Sequence, residues 1–267
     1  MRFARIETAD GPSPVVLRGE NWAEIVDMFA DELEFTGREF VVDGARLLAP
    51  VIPTVLVGIS HNLGNNDHPL PIQAFLKSPR TVVGPGAPVS YREGIGAINV
   101  EAELAIVIGR NCRNISVDRA FDVVFGYTVA NDVTNAGQVA IDEKFSQVKN
   151  GDGYTPLGPW IETTLHSPDS VALSVTRNGE TVRSSSTSRL PSSLAQVIVY
   201  VTSWMSLGPG DVILTGAPET SIAIQPGARV EVAVEGIGSI TNDVVREDIR
   251  RRRSESPVPG VTPTGAS

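Results

Sequence analysis

The sequence predicts a mainly β protein of the α+β class. A hairpin is indicated at Asn178-Gly179, because strand-like runs flank this turn dipeptide on both sides. Further along, Val230, Val232 and Val234 alternate with polar residues, which is the period of a strand with one buried face. The chain has 267 residues, 41% of them hydrophobic, which suffices for one large domain with or without a small appendage.

Residues 1–54 are predicted to form a small N-terminal α/β domain. Asn21 is a suitable N-cap for a helix over residues 22–34, where apolar residues recur at helical spacing. A strand-like run at Phe40-Val41-Val42 and a proline-punctuated connector complete this unit.

The main domain is predicted over residues 55–247, and two helices interrupt its strands. Ser116 is expected to cap a helix over residues 117–125, and Ser192 a longer one that ends before Gly208-Pro209-Gly210. Their apolar stripes are interpreted as core packing. Residues 248–267 contain four consecutive arginines and a Ser/Pro/Gly/Thr-rich tail, and are predicted to be disordered.

The composition restricts the possible chemistry. One Cys excludes an internal disulfide, and one Cys with three His makes an all-Cys/His zinc site nearly impossible. A bound metal would therefore rely on carboxylates, which favours Mg2+ or Mn2+. The formal charge of −9 argues against a nucleic-acid or anionic-membrane surface. No signal peptide or membrane-spanning run is recognised, so a cytoplasmic protein is expected.

Three carboxylates form the most informative pattern. The run from Glu101 to Ile108 alternates as a strand, so Glu101 and Glu103 point to one face, with their α-carbons ~7 Å apart. By themselves, these two acids are also compatible with a solvent-facing strand. A third carboxylate, Asp132, lies among apolar and β-branched neighbours, where an unpaired charge is costly. Together the three acids are suited to an octahedral Mg2+ or Mn2+ site.

Nine segments in order and spacing resemble the fumarylacetoacetate hydrolase family, over about residues 45–245. The segments are Gly58-Ile59-Ser60, Phe75-Leu76-Lys77, Gly84-Pro85-Gly86, Glu101-Ala102-Glu103-Leu104, Gly126-Tyr127-Thr128-Val129-Ala130-Asn131-Asp132-Val133-Thr134, Lys149 with Asp152, Pro156-Leu157-Gly158-Pro159-Trp160, Asn178-Gly179-Glu180, and the run from Leu207 to Pro218. The small N-terminal unit also resembles that of the family's bacterial isomerase/decarboxylase branch.

The resemblance implies a mixed β-roll, usually a homodimer, acting on small 2-oxo or 1,3-dicarbonyl carboxylic acids. It assigns metal binding to Glu101, Glu103 and Asp132. It also assigns Lys149 to catalysis, where an ammonium group would stabilise an enolate or move a proton. Substrate contacts implied in the same way are Lys77, Gln138 and Thr215.

Two departures from the family pattern bear on the reaction. Hydrolytic and decarboxylating members carry Asn-Tyr-x-x-His, and here Gly64 stands in the place of that His, with His61 in the place of the Tyr. Ala136 stands where the family often has Arg. A rearranged loop would let His61 act as the base, or His68 with Asp67 to orient it. His166 has no partner motif and is interpreted as structural or exposed.

The leading hypothesis is a metal-dependent enzyme that hydrolyses a C–C bond of a 2-oxo or 1,3-dicarbonyl acid. Isomerisation, decarboxylation or a lyase step on the same substrates is the alternative, since these need only the metal and a lysine. A hypothesis of another class is a non-catalytic binding or scaffold homologue, supported by the missing His and Arg. The sequence does not identify the substrate.

Overall fold

Residues 1–64 and 71–247 are described here by a computed structural model of the chain. The N-terminal unit is a four-stranded antiparallel meander: β1 (Arg2–Thr8), β2 (Gly11–Arg18), β3 (Asn21–Ile25) and β4 (Phe35–Val41).

The helix predicted over residues 22–34 is wrong, because Asn21–Ile25 forms strand β3. Pairing with β2 and β4 supplies its backbone with partners on both edges, and residues such as Trp22 and Ile25 favour strands. Asn21 caps nothing; its side-chain amide donates to the Glu39 carboxylate at 3.0 Å on the neighbouring strand.

The remaining strands of the described residues confirm the mainly β class. They are β5 (Leu56–Ser60), β6 (Gln73–Lys77), β7 (Val82–Val83), β8 (Val89–Tyr91), β9 (Ile98–Val100), β10 (Ala102–Ile108), β11 (Val124–Asn131), β12 (Thr155–Glu162), β13 (Ala172–Arg177), β14 (Glu180–Ser186), β15 (Val212–Leu214), β16 (Ile222–Ile224), β17 (Arg229–Val234) and β18 (Gly238–Arg246).

These strands form one long mixed sheet and two smaller ones. The long sheet has the order β4-β3-β2-β1-β12-β11-β10-β15-β5-β6, and β7 pairs with β12. The second sheet has the order β14-β13-β17-β18-β8, and β16 pairs with β9. Three pairs are parallel, namely β15 with β5, β12 with β7 and β18 with β8, while the others are antiparallel. The meander joins the long sheet through β1 and β12.

The helices differ in detail from the prediction. Helix α1 (Leu194–Trp204) is capped by Ser193 rather than Ser192, because Gln196 completes a capping box with Ser193. The segment after Ser116 is a 3-10 helix, Val117–Val123, rather than an α-helix. Additional 3-10 turns are Pro79–Thr81, Ala136–Gln138, Pro168–Ser170 and Thr187–Arg189.

Both faces of the central strand β10 are buried. Leu104, Ile106 and Ile108 pack into the core shared with the five-stranded sheet and α1. Ala105 and Val107 pack into a second core on the opposite face. Glu103 lies on the same face of the strand as Ala105 and Val107, which confirms the alternation predicted for this strand.

Two expectations fall on residues that the structure does not describe. They are the disordered tail over residues 248–267 and the pair Asp67 and His68. Within the described ranges, no helix has both the length and the apolarity needed to cross a bilayer.

Candidate metal centre

Three buried carboxylates meet where β10 and β11 lie side by side. Glu101 directly precedes β10, Glu103 lies within it, and Asp132 follows β11. The antiparallel register pairs Ala102 with Asn131, and the Asp132 amide donates to the Glu101 carbonyl at 2.9 Å. One carboxylate oxygen from each acid lies within 4.8 Å of the other two. The acids are 7%, 2% and 1% exposed, which excludes a solvent-facing strand.

Hydrogen bonds fix two of these carboxylates from the segment that follows β15. The Gly216 amide donates to Glu103 Oε2 at 2.8 Å, and the Ser221 hydroxyl donates to Glu101 Oε1 at 3.0 Å. The Thr134 hydroxyl donates to the other oxygen of Glu101 at 3.0 Å. The carboxylates are thus held in fixed orientations before any ion binds.

Lys149 connects two of the acids. Its Nζ donates to Glu101 Oε2 at 3.1 Å, to Asp132 Oδ2 at 2.5 Å and to Thr134 Oγ1 at 2.6 Å. These contacts use all three donors of an ammonium group. Burial alone lowers the pKa of Lys149, but the neighbouring carboxylates, Asp132 first, outweigh this and raise it. Lys149 is therefore a fixed positive charge.

Lys77 lies on another side of Asp132. It ends strand β6, is fully buried, and donates to Asp132 Oδ1 and to the Tyr154 carbonyl, the latter at 2.7 Å. Burial lowers the pKa of Lys77 more than the charge of Asp132 raises it, and Lys149 lowers it further. Lys77 thus anchors a carboxylate of the cluster.

Glu103 differs from the other two acids because no described residue forms an ion pair with it. Among the described residues, the ion pairs of the cluster join lysines to Glu101 and Asp132 only. Burial, with repulsion from Asp132, raises the pKa of Glu103 well above its usual range. Burial also acts against ionisation of Asp132, but its two ammonium partners lower its pKa.

These donors fit a divalent cation. The three carboxylates and the ammonium groups of Lys77 and Lys149 together carry a formal charge of −1. The lysines pair with Glu101 and Asp132, so among the described residues Glu103 is the acid without an ammonium partner. Oxygen donors in this arrangement are those that Mg2+ and Mn2+ prefer. A cation beside Glu103 would remove the cost of burying this carboxylate.

The carboxylates open onto a cavity of about 390 Å³. The residues that line it are Ile59, Ser60, His61, Leu63, Phe75, Asn99, Glu101, Glu103, Asp132, Thr134, Ala136, Val139, Phe145, Val148, Lys149 and Ser221. His61 is therefore on the wall, with a left-handed backbone at φ 60°. The volume is typical of small-molecule sites, which span roughly 300–1,000 Å³.

The other predicted site residues lie elsewhere. The Gln138 amide donates to the Ile95 carbonyl at 3.3 Å, and the buried Thr215 hydroxyl donates to the Leu104 carbonyl at 2.7 Å. Neither is part of the cavity wall, nor is Lys77. Gly64 has φ +100°, a conformation that a histidine rarely adopts. His166 is exposed and lines a separate groove.

Sequence reasoning missed several residues of the site. Thr134 and Ser221 bond the carboxylates, and Phe75 places its ring 4.8 Å from the Lys149 ammonium. Thr134 and Phe75 had a local signal, since Thr134 stands two residues after Asp132 in the same motif and Phe75 begins the motif that ends at Lys77. Ser221 is 120 residues from Glu101, so only the fold brings the two together.

Comparison with known proteins agrees with this geometry. Residues 56–245 match the family described as fumarylacetoacetate (FAA) hydrolase C-terminal, and residues 1–50 match the family described as Rv2993c-like, N-terminal. Protein Rv2993c of Mycobacterium tuberculosis is 34% identical over 265 residues, covering 92% of this chain and 99% of its own length.

Solved structures show the same similarity. A 5-carboxymethyl-2-hydroxymuconate delta-isomerase from Mycobacterium smegmatis has a TM-score of 0.88 and 36% identity, covering 92% of this chain and all of its own. A maleylpyruvate hydrolase from Sphingobium sp. SYK-6, in complex with manganese(II) and pyruvate, has a TM-score of 0.77 and 26% identity, covering 92% and 99%. These relatives are enzymes of two reaction types. The chain therefore belongs to the fumarylacetoacetate hydrolase family.

Proposed function

We propose that this protein is a divalent-metal-dependent enzyme that acts on a 2-oxo or 1,3-dicarbonyl carboxylic acid through an enolate. The observation that carries the proposal is the set of three buried carboxylates within 4.8 Å, one of them without an ammonium partner, at the wall of a cavity. Glu101, Glu103 and Asp132 would hold Mg2+ or Mn2+. The manganese(II) and pyruvate in one related structure support this assignment.

The side chains around the cluster have separate tasks in this proposal. The metal, when bound, would supply a Lewis acid that polarises the 2-oxo group. Lys149 keeps its positive charge at the cavity wall, where it stabilises negative charge that develops on the substrate oxygen. Lys77 holds Asp132 in position from outside the cavity. Gln138 and Thr215 would act indirectly, because their side chains hold the backbone carbonyls of Ile95 and Leu104.

C–C bond hydrolysis is the first candidate reaction because His61 lines the cavity. Its imidazole would accept a proton from the attacking water and then protonate the carbon that leaves. Isomerisation or decarboxylation is the second candidate. It is favoured by Gly64, which offers no side chain where hydrolytic members carry a histidine, and by the related isomerase.

Calorimetric titration of the metal-free protein with Mn2+, and separately with Mg2+, tests the metal site. We expect one saturable site, and loss of binding in the Glu101→Ala, Glu103→Ala double variant. Glu162→Gln is a suitable control, since it alters a buried glutamate outside the cavity. Undiminished binding by the double variant would refute the assignment.

Oxalate separates an enzyme site from a scaffold, because it mimics a planar enolate. An enzyme site binds oxalate only when Mn2+ is present, whereas a scaffold binds it neither with nor without metal. Incubation of 2-oxo and 1,3-dicarbonyl acids with the Mn2+-loaded protein, followed by NMR, then identifies the reaction. Cleavage with uptake of water to give a new carboxylic acid indicates hydrolysis, and loss of a single carbon as CO2 indicates decarboxylation. Exchange of the carbon-bound proton without cleavage indicates isomerase chemistry.

We also propose that the protein is a homodimer. Each chain would have two domains, residues 1–54 and residues 55–247. Continuity of the long sheet through β1 and β12 predicts that they unfold together. Light scattering tests the dimer, and limited proteolysis followed by mass spectrometry tests the boundary near residue 54.

A further inference from the structure

The cavity wall beyond the carboxylate cluster is mainly apolar, with Ser60 and His61 as its further polar residues. Seven of the residues that line it carry hydrocarbon or aromatic side chains: Ile59, Leu63, Phe75, Ala136, Val139, Phe145 and Val148. The cavity volume of about 390 Å³ corresponds to roughly a dozen water molecules at ~30 Å³ each, which is more than a three-carbon 2-oxo acid fills. The substrate therefore has room for a substituent beyond its 2-oxo acid end.

The polar groups of the wall are largely committed to the cluster. Thr134 and Ser221 donate to Glu101, and the Asn99 amide donates to Ser221 at 3.2 Å. The Lys149 ammonium directs its three donors to Glu101, Asp132 and Thr134. Within the described ranges, 1–64 and 71–247, Lys149 is the only lysine or arginine that lines the cavity.

The apolar wall is built by unusual backbone positions. A Cβ at Gly58 would lie 2.2 Å from Phe75 Cζ, so this glycine makes space for the phenyl ring. Phe145 has φ 57°, which aromatic residues rarely adopt. It packs edge-on against Phe75 with ring centroids 5.7 Å apart. The turn around Phe145 is fixed by Asp142, whose carboxylate accepts from the Gln147 and Val148 amides at 2.6 and 2.9 Å.

We propose that this site selects 2-oxo acids whose substituent is uncharged and apolar, rather than dicarboxylic acids. A second carboxylate in the cavity would lose its hydration without gaining a lysine or arginine partner from the described lining residues, because the Lys149 ammonium is already bonded to Glu101 and Asp132. An alkyl or aryl group would instead bury hydrocarbon against Phe75, Phe145 and Val139. Each buried methylene is worth ~0.8 kcal/mol, or about fourfold in affinity. The inference rests on the proposed function and specifies its substrate class.

One cation near the cavity requires a direct test. Lys144 is exposed and lines a groove that adjoins the cavity. Glu143, Phe75 and Phe145 line the same groove. Glu143 brings a charge of opposite sign to this groove, and neither Glu143 nor Lys144 is part of the cavity wall. Binding of a second carboxylate by Lys144 would require the substrate to leave the cavity for this groove.

A matched pair of ligands tests the proposal on the Mn2+-loaded full chain. The acids 5-methyl-2-oxohexanoate and 2-oxoglutarate differ only in that an isopropyl group replaces the distal carboxylate. Calorimetry should show that the branched acid binds at least tenfold more tightly, with oxalate as the reference for the metal end. Equal or tighter binding of 2-oxoglutarate, with oxalate binding intact, overturns the proposal. Loss of Mn2+-dependent oxalate binding overturns the proposed function and this inference together.

Variants test whether the lining sets the preference. Val139→Lys introduces a cation on the wall and should shift the ratio of the two affinities toward 2-oxoglutarate by tenfold or more. Ile141→Lys is the matched control, because it adds the same charge two residues away at an exposed side chain outside the cavity wall. An equal shift in both variants would contradict a specific subsite. A preference for 2-oxoglutarate that Lys144→Ala abolishes would place the subsite in the groove and overturn the proposal.

Discussion

Two glutamates in the same long sheet, Glu103 and Glu162, are both buried but differ in their surroundings. Glu162, at the end of β12, accepts from the terminal ammonium at 3.2 Å, from Arg2 at 3.2 Å and from the Thr164 hydroxyl at 2.7 Å. Glu103 accepts from the Gly216 amide but has no cationic partner among the described residues.

The difference appears in their ionisation. Burial raises the pKa of the Glu162 carboxyl, but its hydrogen bonds with Thr164 and the terminal ammonium outweigh this and lower it. Burial and repulsion from Asp132 raise the pKa of Glu103. Glu162, which joins β12 to the N-terminus, is thus neutralised by ion pairs, whereas Glu103 is buried at the proposed metal site without an ion-pair partner among the described residues. A buried acid without a cation therefore indicates function, and one with several donors indicates structure.

The largest expected effect comes from the fixed charge of Lys149, which bonds the other two acids, Glu101 and Asp132. Lys149→Met should reduce kcat by about a hundred- to ten-thousandfold, because the developing enolate loses its ammonium neighbour. Mn2+ binding should persist, since the three carboxylates remain. Steady-state kinetics and calorimetry measure the two effects, and Lys144→Met serves as an exposed lysine control. Wild-type kcat in Lys149→Met would rule out a role for this ammonium group in turnover.

A smaller effect separates the two glutamates directly. Glu103→Gln should raise the free energy of unfolding of the metal-free protein at pH 8 by about 1–3 kcal/mol, because a buried, uncompensated carboxylate is replaced by a neutral amide. The same variant should lose the stabilisation that Mn2+ gives to the wild type. Urea denaturation with and without Mn2+ tests both statements. A metal-free variant less stable than the wild type would show that Glu103 is already compensated.

The smallest effect is expected at the sheet junction. Glu162→Gln should lower the free energy of unfolding at pH 7 by about 1 kcal/mol, since it weakens partly exposed charged hydrogen bonds. Because the folded state lowers the pKa of Glu162, this contribution is present above about pH 4.5, its ordinary value, and is lost as the pH falls through the lowered pKa. Urea denaturation from pH 7 to pH 3 should show the two proteins converging. A constant difference would exclude ionisation as its cause.

The sequence was sufficient for the carboxylate cluster because the signal there is local. Alternation along β10 places Glu103 and Leu104 on opposite faces of the strand. The apolar surroundings of Asp132 mean that its charge requires a partner. The two strands are neighbours in the sheet, so little besides the antiparallel register is needed to bring the acids together.

The N-terminal helix was mispredicted for a physical reason. Ile25, Phe29 and Leu33 recur at helical spacing, and all three do pack into one core. They reach it from strand β3 and from a turn in which the Asp27 carboxylate accepts from the Phe29 amide at 2.9 Å. The spacing of apolar residues over so short a stretch indicates which residues are buried, but it does not determine the backbone conformation. Pairing with two neighbouring strands determined the outcome.

The substrate contacts were the least predictable part. The resemblance alone predicts Lys77 and Thr215 as substrate contacts, and this stays a prediction. In the fold, Lys77 donates to Asp132 and Thr215 donates to the Leu104 carbonyl. Phe145 carries no local signal at all, because its left-handed backbone depends on the turn that Asp142 fixes. Side-chain direction in loops depends on contacts that are distant in sequence.

The strand order also constrains how the active site assembles. Strand β15 lies between β10 and β5, and it separates the part of the sheet bearing the acids from the part bearing Phe75 and Lys77. It is more than a hundred residues further along the chain than β10, so these parts join only after β15 has been synthesised and inserted. Closing such long loops is slow. We therefore expect the cluster and its wall to form late during synthesis, so that the proposed metal would bind to a protein whose central sheet is already complete.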